Sequence, residues 1–490
     1  MSKKTTAQPT AGRRRLVLIA VLLAAILGTV IIIALLVNIF QRQQESTHAY
    51  TQVVEIDETV VDPAVWGQNF PAQYEAYTKT AEFTQGFQGG TMEAHDVEGD
   101  PRTEVTTSKL EEDPRLTVMW AGYPFATDYR HARGHEWMTI DQQYTLRNLE
   151  FDQPGTCLNC HASMPAIYAE LGDGDVDAGF HEMGSLTLDE ALDMAEHPIA
   201  CIDCHNPETM ELQITRPAFE RGIAALKASE GIEDYDVNRD ATRQEMRSYV
   251  CAQCHTEYYF DGNNNKELVF PWANGLDLDD IWEYYQENGH VDYIHATTGA
   301  EILKAQHPEF DIWAQGVHAE MGVSCADCHM PYVREGGTKV TDHDITTPMG
   351  NMNAACGTCH DTGDGVLAAR VQTIHDRFLE SRDRAFDALV ALIDDIEVAL
   401  EDGTPQDQID LARYYQNRSS FYLDYVYSEN SYGFHAPDYE QRLISQSLDY
   451  ARMGQLALRG VSAEELKASE VTTNNLNAAL RVTGEAKTSG

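Results

Sequence analysis

The chain has 490 residues, with 78 acidic side chains against 35 basic ones, a formal net charge of −43, a hydrophobic fraction of 43% and ten cysteines. Such a length admits two or three ordinary domains. A chain this acidic, with no basic stripe to neutralise phosphate, excludes nucleic acid as a partner, and its surplus charge reads as a solvated surface.

Taken from the N-terminus, Lys3, Lys4, Arg13, Arg14 and Arg15 precede an uncharged run from Leu16 to Val37. That run is long enough to cross a bilayer and longer than the roughly 7–15-residue core of a cleaved signal, and no small-residue cleavage site is evident behind it. The predicted order is a basic cytoplasmic tail over residues 1–15, a transmembrane anchor or uncleaved signal over 16–40, and a polar stalk over 41–65. Basic residues ahead of the span, against Arg42 alone just behind it, put the N-terminus in the cytoplasm and the body on the extracytoplasmic (periplasmic) face.

The folded body begins near Trp66. Between Asp113 and His135 the prolines and glycines prescribe loop, and the aromatic, Arg and His residues there suggest a pocket wall, although by composition a surface Arg and a core His are the more ordinary reading. Then comes Cys157-Leu158-Asn159-Cys160-His161, and the pattern recurs at Cys201–His205, Cys251–His255, Cys325–His329 and Cys356–His360. These five Cys-x-x-Cys-His motifs use all ten cysteines. A zinc ribbon needs no His after every pair, and a disulfide framework would not confine its cysteines to five like pentapeptides. The motif is that of covalent c-type haem, in which Cys157/Cys160, Cys201/Cys204, Cys251/Cys254, Cys325/Cys328 and Cys356/Cys359 bond the macrocycles. His161, His205, His255, His329 and His360 then face the irons.

Among the motifs, short helices are expected over Leu186–Glu196 and Arg216–Ala228, a helix from about Gly299 leading to Lys304 and His307, and a loop over Thr338–Met349 holding His343. After His360 apolar residues recur at helical spacing over Leu367–Leu400, stopping at Gly403-Thr404-Pro405, and two more helices follow over about Gln406–Tyr427 and Asp438–Leu458. Residues 66–362 thus read as a haem-bearing region, 363–462 as a long-helix region and 463–490 as a polar tail. The expected class is mainly α, wrapped around five haems that supply much of the core.

Trp120 to Phe125, Arg133-Gly134-His135, Gln253 to Gly262 and Leu303 to Glu309 resemble the pentahaem, ammonia-forming cytochrome c nitrite reductases. The resemblance implies a multihaem cytochrome c fold, reduction of nitrite to ammonium, and four distal haem ligands at His135, His318, His343 and His435. It implies an open iron at the first motif, where most of the family has Lys and this chain has His161. A catalytic trio of Arg133, Tyr258 and His307 is implied as well, with Arg133 holding the anion and offsetting the acidic body. A calcium ion would be held by Glu257, Gln306 and the carbonyls of Tyr258 and Lys304. Homodimerisation through the long helices and a membrane quinol dehydrogenase as electron donor belong to the same implication. The other readings are a purely electron-transferring cytochrome with every iron six-coordinate, and a reductase of hydroxylamine or sulfite.

Overall fold

A computed structural model describes residues 11–45, 52–82, 100, 102, 104–361 and 363–468. Most of the expected basic tail, part of the stalk and most of the polar tail lie outside the described residues. The chain divides into two units, residues 1–55 and 56–490. The first holds helix α1 (Ala11–Glu45), whose segment Leu18–Val37 is long and apolar enough to cross a membrane.

The second unit is built mainly of helices. Local sequence sets their ends: Thr187 with Glu190 and Thr242 with Glu245 form capping boxes at the starts of Leu188–Leu192 and Arg243–Ala252, each side chain satisfying a backbone N–H that the first turn leaves free. Proline opens Pro217–Ser229. Pro217–Ser229 matches the helix predicted over Arg216–Ala228 to within a residue, Leu188–Leu192 occupies the middle of the one predicted over Leu186–Glu196, and Arg243–Ala252 is a further helix. The segment expected as loop over 113–135 is loop punctuated by one-turn helices at Arg115–Met119, Pro124–Ala126 and His135–Trp137.

The helix expected from Gly299 is absent. Gly299 has φ +69°, and strand β1 (Tyr293–Ile294) pairs with strand β2 (Glu301–Ile302) in an antiparallel hairpin. Beyond it four successive amides donate to side chains from elsewhere: Leu303 to Asn417 (2.9 Å), Lys304 to Asp292 (2.8 Å), Ala305 to Asp424 (3.2 Å) and Gln306 to Glu257 (2.7 Å). Bonds to partners distant in sequence replace the i→i−4 ladder, and they hold the strip leading to His307 open. The loop expected over Thr338–Met349 is shorter than that: Thr338–Thr341 is a strand paired with Tyr332–Glu335, and His343 stands in the loop just after it.

Three long helices close the chain: α2 (Asp364–Asp402), α3 (Gln406–Ser428) and α4 (Pro437–Ala457). Gly403, at φ +84°, ends the first. Phe386, Leu389, Leu392 and Ile396 of α2 share a buried core with Ile409, Phe421 and Tyr425 of α3 and with Leu443 and Ala451 of α4. A second core around the first haem motif gathers Leu158, Tyr168, Phe180, Phe219, Phe270 and Trp272.

Candidate active site

The motif histidines come in facing pairs. Two imidazoles bonded through nitrogen at about 2.0–2.1 Å on opposite sides of one metal have ring centres about 6 Å apart. The separations are 6.2 Å for His205 and His343, 6.4 Å for His360 and His318, and 6.3 Å for His329 and His435. His135 lies beside His255; burial first, and then that neighbour, pushes its ring down to about 4. The Nδ1 atoms are tied back: His205 to the Met210 carbonyl (3.1 Å), His329 to that of Thr346 (3.0 Å), His343 to that of Thr341 (2.8 Å), and His435 to the Glu429 carboxylate (2.5 Å). A ring anchored through Nδ1 offers Nε2 to a metal. The residues therefore fit haem iron held between imidazoles.

The cysteines are not all alike in exposure. Nine are partly buried, but Cys359 of the fifth motif is exposed. Its backbone turn is the ordinary one: the Cys359 and His360 amides both donate to the Cys356 carbonyl, at 3.1 and 3.0 Å, as the Cys204 and His205 amides do to Cys201 at 3.2 and 3.0 Å. The difference is one of packing. Residues 357–361 all lie at the surface between the one-turn helix Met352–Ala355 and the start of α2. Cys359 thus lies at the surface, and its turn keeps the form that the motif requires.

His161 differs from the paired histidines. Among the described residues no second histidine ring stacks opposite it, and it lines a cavity of about 180 Å³ together with Cys157, Arg147, Tyr123, Tyr258, Gln306 and His307. The one-turn helix Leu146–Leu149 carries Arg147; the Leu146 amide donates to Asp128 Oδ2 (3.0 Å), Arg147 donates to the Asp128 carbonyl (3.2 Å), and its guanidinium lies 4.9 Å from the centre of the Phe125 ring. Arg102, Lys109 and Arg130 also line this cavity.

Tyr258 and His307 are thus brought together, whereas Arg133 is not among the lining residues. Its guanidinium is buried, donates to both carboxylate oxygens of Asp141 and to the Glu104 carbonyl (3.0 Å), and stacks 4.0 Å from the Trp137 ring centre. Arg133 precedes His135 by two residues, and its contacts brace that turn. The sequence reading passed over Arg147, which stands in a polar run just ahead of the first cysteine motif, the one local signal that could have flagged it.

The proposed calcium ligands form one buried group. Glu257 Oε2 accepts the Gln306 amide at 2.7 Å, Oε1 accepts the Tyr285 hydroxyl at 3.0 Å, and the Gln306 side chain is 3.3 Å from the Lys304 carbonyl. Lys304 turns its ammonium away, onto Asp424 (3.0 Å). Glu257 is fully buried, and burial, with Asp311 and Asp292 nearby, raises its carboxyl well above the usual range. A carboxylate in that position needs a cation to stay ionised, and an oxygen-only donor set of this kind suits calcium. Asp311, which sequence reasoning also missed, fixes the loop by accepting from Thr256 Oγ1 (2.8 Å), the Glu257 amide (2.9 Å) and Trp272 Nε1 (2.7 Å).

A family model described as cytochrome c552 matches residues 62–487. Cytochrome c-552 of Porphyromonas gingivalis is 37% identical over 82% of this chain and 77% of its own length, and that of Bacteroides fragilis is 35% identical over 91% and 86%. Among solved structures, the catalytic subunit of cytochrome c nitrite reductase from Desulfovibrio desulfuricans, described with two calcium sites, aligns with a TM-score of 0.72. It is 28% identical and covers 86% of this chain and 89% of its own.

Proposed function

This chain belongs to the cytochrome c552 family, the pentahaem nitrite reductases, and from that premise we propose that it reduces nitrite to ammonium in the cavity beside His161. The reading rests on one observation: where His205, His329 and His360 each face a second imidazole, His161 faces a cavity lined by Arg147, Tyr258 and His307. Haem at this motif would supply a metal centre that accepts and delivers electrons, with His161 as its protein ligand and Cys157 and Cys160 as its attachment. His205 with His343, His255 with His135, His329 with His435 and His360 with His318 would hold the four relay haems. The last of these would be bonded by Cys356 and the surface-lying Cys359.

Taking nitrite to ammonium and two waters consumes six electrons and eight protons, so the cavity must bind an anion and feed it protons. Arg147, not Arg133, takes the anion-holding role. Its fixed positive charge offsets the negative charge that gathers on oxygen as the N–O bonds break. Arg102, Lys109 and Arg130 make the approach locally positive within an acidic body, which an anionic substrate requires. His307 delivers protons to the departing oxygens, and Tyr258 orders the proton path beside it. Calcium held by Glu257, Gln306 and the carbonyls of Tyr258 and Lys304 would fix the two catalytic strips to each other.

Electrons would come from a membrane quinol dehydrogenase, with α1 keeping the enzyme at the periplasmic face of the membrane as an anchor, and helices α2 to α4 would form a homodimer contact. The test is anaerobic turnover with reduced viologen: ammonium formed in proportion to nitrite consumed, together with cyanide or nitric oxide binding to one high-spin haem. All haems low-spin and inert to these ligands would establish the electron-transfer reading instead. Reduction of hydroxylamine or sulfite without nitrite turnover would move the enzyme to another substrate.

A further inference from the structure

One buried arginine ties three haem motifs together. Arg216 stands at the N-cap position of the helix Pro217–Ser229 and is 1% exposed. Its Nε donates to the Asn159 carbonyl (2.8 Å) and its Nη2 to the Ala162 carbonyl (3.1 Å), on either side of Cys160 and His161 in the first motif. Nη2 also lies 2.8 Å from Asp203 Oδ1 in the second motif. The Arg216 main-chain amide donates to Gln253 Oε1 in the third (3.1 Å), and the Gln253 side-chain amide donates to the Asp203 carbonyl (3.2 Å). Asn159, Asp203 and Gln253 hold the same place in their motifs, just before the second cysteine.

A buried ion pair adds little net stability, because desolvation offsets most of the attraction and apolar residues of like volume often serve as well. Where the two charges stand gives this pair a further use. The cationic end rests on carbonyls that flank Cys160 and His161, and its charge bears on the Cys160 and Cys254 thiols. The anionic end is fixed inside the second motif, where Asp203 also accepts the Ala200 amide (2.7 Å). Its charge bears on Cys201, and at Cys204 it outweighs that of Arg216. Both side chains are buried, so solvent screens them little. A fixed positive charge favours the reduced state of a nearby redox group, and a negative charge favours the oxidised state.

We propose that Arg216, paired with Asp203, is a positioning residue for electron delivery. It holds the first three motifs in one register and raises the potential of the haem at His161 relative to that at His205, so that electrons run downhill toward the cavity. The proposal rests on the reading of His161 as the axial ligand of the open haem.

The test is EPR-monitored redox titration of the high-spin haem in the fully haem-loaded enzyme. Arg216→Gln removes the charge and should shift that potential downward. Arg216→Lys keeps the charge without the fork of donors and should leave the potential near that of the parent, whereas a purely structural role predicts like shifts in both variants. Arg216→Gln leaves Asp203 buried and unpaired, which endangers folding. The double variant Asp203→Asn/Arg216→Gln leaves no unpaired charge, and it should still lower the potential because the lost positive end is the nearer to His161. An unchanged potential in Arg216→Gln, or in the double variant where the single one does not load haem, would overturn the proposal, as would equal shifts in Arg216→Lys and Arg216→Gln. Absence of any high-spin haem in the parent enzyme would instead overturn the open-haem reading, and this inference with it.

Discussion

Arg133 and Arg147 divide two jobs that short sequence motifs do not separate. Arg147 lines the cavity and bonds the Asp128 main-chain carbonyl rather than a carboxylate, so its charge is available to an anion. Arg133 is spent on Asp141, which also holds Arg102 at 2.8 Å. Arg147→Ala is expected to lower kcat/KM for nitrite by about 10²–10³-fold, the usual cost of one lost charge-stabilising donor, while the unfolding temperature changes little. Arg133→Ala is expected to do the reverse, losing about 3 kcal/mol of stability for a broken buried pair with a smaller kinetic effect. Steady-state kinetics and thermal unfolding of the two variants decide the assignment. Tyr258 and His307 were legible in the sequence through the family resemblance of Gln253–Gly262 and Leu303–Glu309, in which they stand. Arg147 was not, because nothing near it in sequence tells which way an arginine on a one-turn helix points.

At the scale of elements, the hairpin β1–β2 shows why the strip before His307 is not helical. His295 donates from Nε2 to the Val118 carbonyl (2.9 Å) and accepts at Nδ1 from the Thr297 and Thr298 amides (both 3.3 Å), bracing the turn that leads into β2. That network needs the neutral ring, and burial lowers its pKa. A histidine whose folded pKa lies below the unfolded value of about 6.5 adds stability above that value, and the contribution is lost as pH falls through it toward the folded pKa. Unfolding free energy should thus decline with acidification in this window, and His295→Gln should flatten the part of the slope due to this ring; identical slopes would exclude the role. The long helices supply a second case. A Cβ at Gly454 of α4 would come within 2.7–2.8 Å of the Leu392 methyls on α2, so the helices touch through a missing side chain. Gly454→Leu should overpack that contact and cost about 1–3 kcal/mol, read as a lower unfolding midpoint.

For the whole molecule, charge is the dominant fact. A net −43 over 490 residues repels itself when compact, and added salt shortens the range of that repulsion to about 8–10 Å near 0.1–0.15 M. The unfolding temperature should therefore rise as monovalent salt increases from low concentration; a flat or falling response would mean that local pairing already offsets the surplus. Ion pairs such as Arg216 with Asp203 (2.8 Å) and Lys304 with Asp424 (3.0 Å) are buried and should contribute little to this salt response, since screening acts on exposed charge.

The sequence by itself determined the five haem-attachment motifs, the apolar N-terminal helix and the long C-terminal helices. Each is written locally, as a pentapeptide, an apolar run or a helical period, and needs no partner distant in the chain. Tertiary structure alone decided which motif histidine has His318, His343 or His435 facing it, that Cys359 lies at the surface while the other nine cysteines are partly covered, that the strip at 303–306 is extended, and that Arg147 rather than Arg133 lines the cavity. Those outcomes depend on packing and bonds between residues far apart in sequence, such as Glu257 to the Gln306 amide and Asp424 to the Ala305 amide. No local pattern carries them, because the partner that settles each one arrives only when the chain has folded.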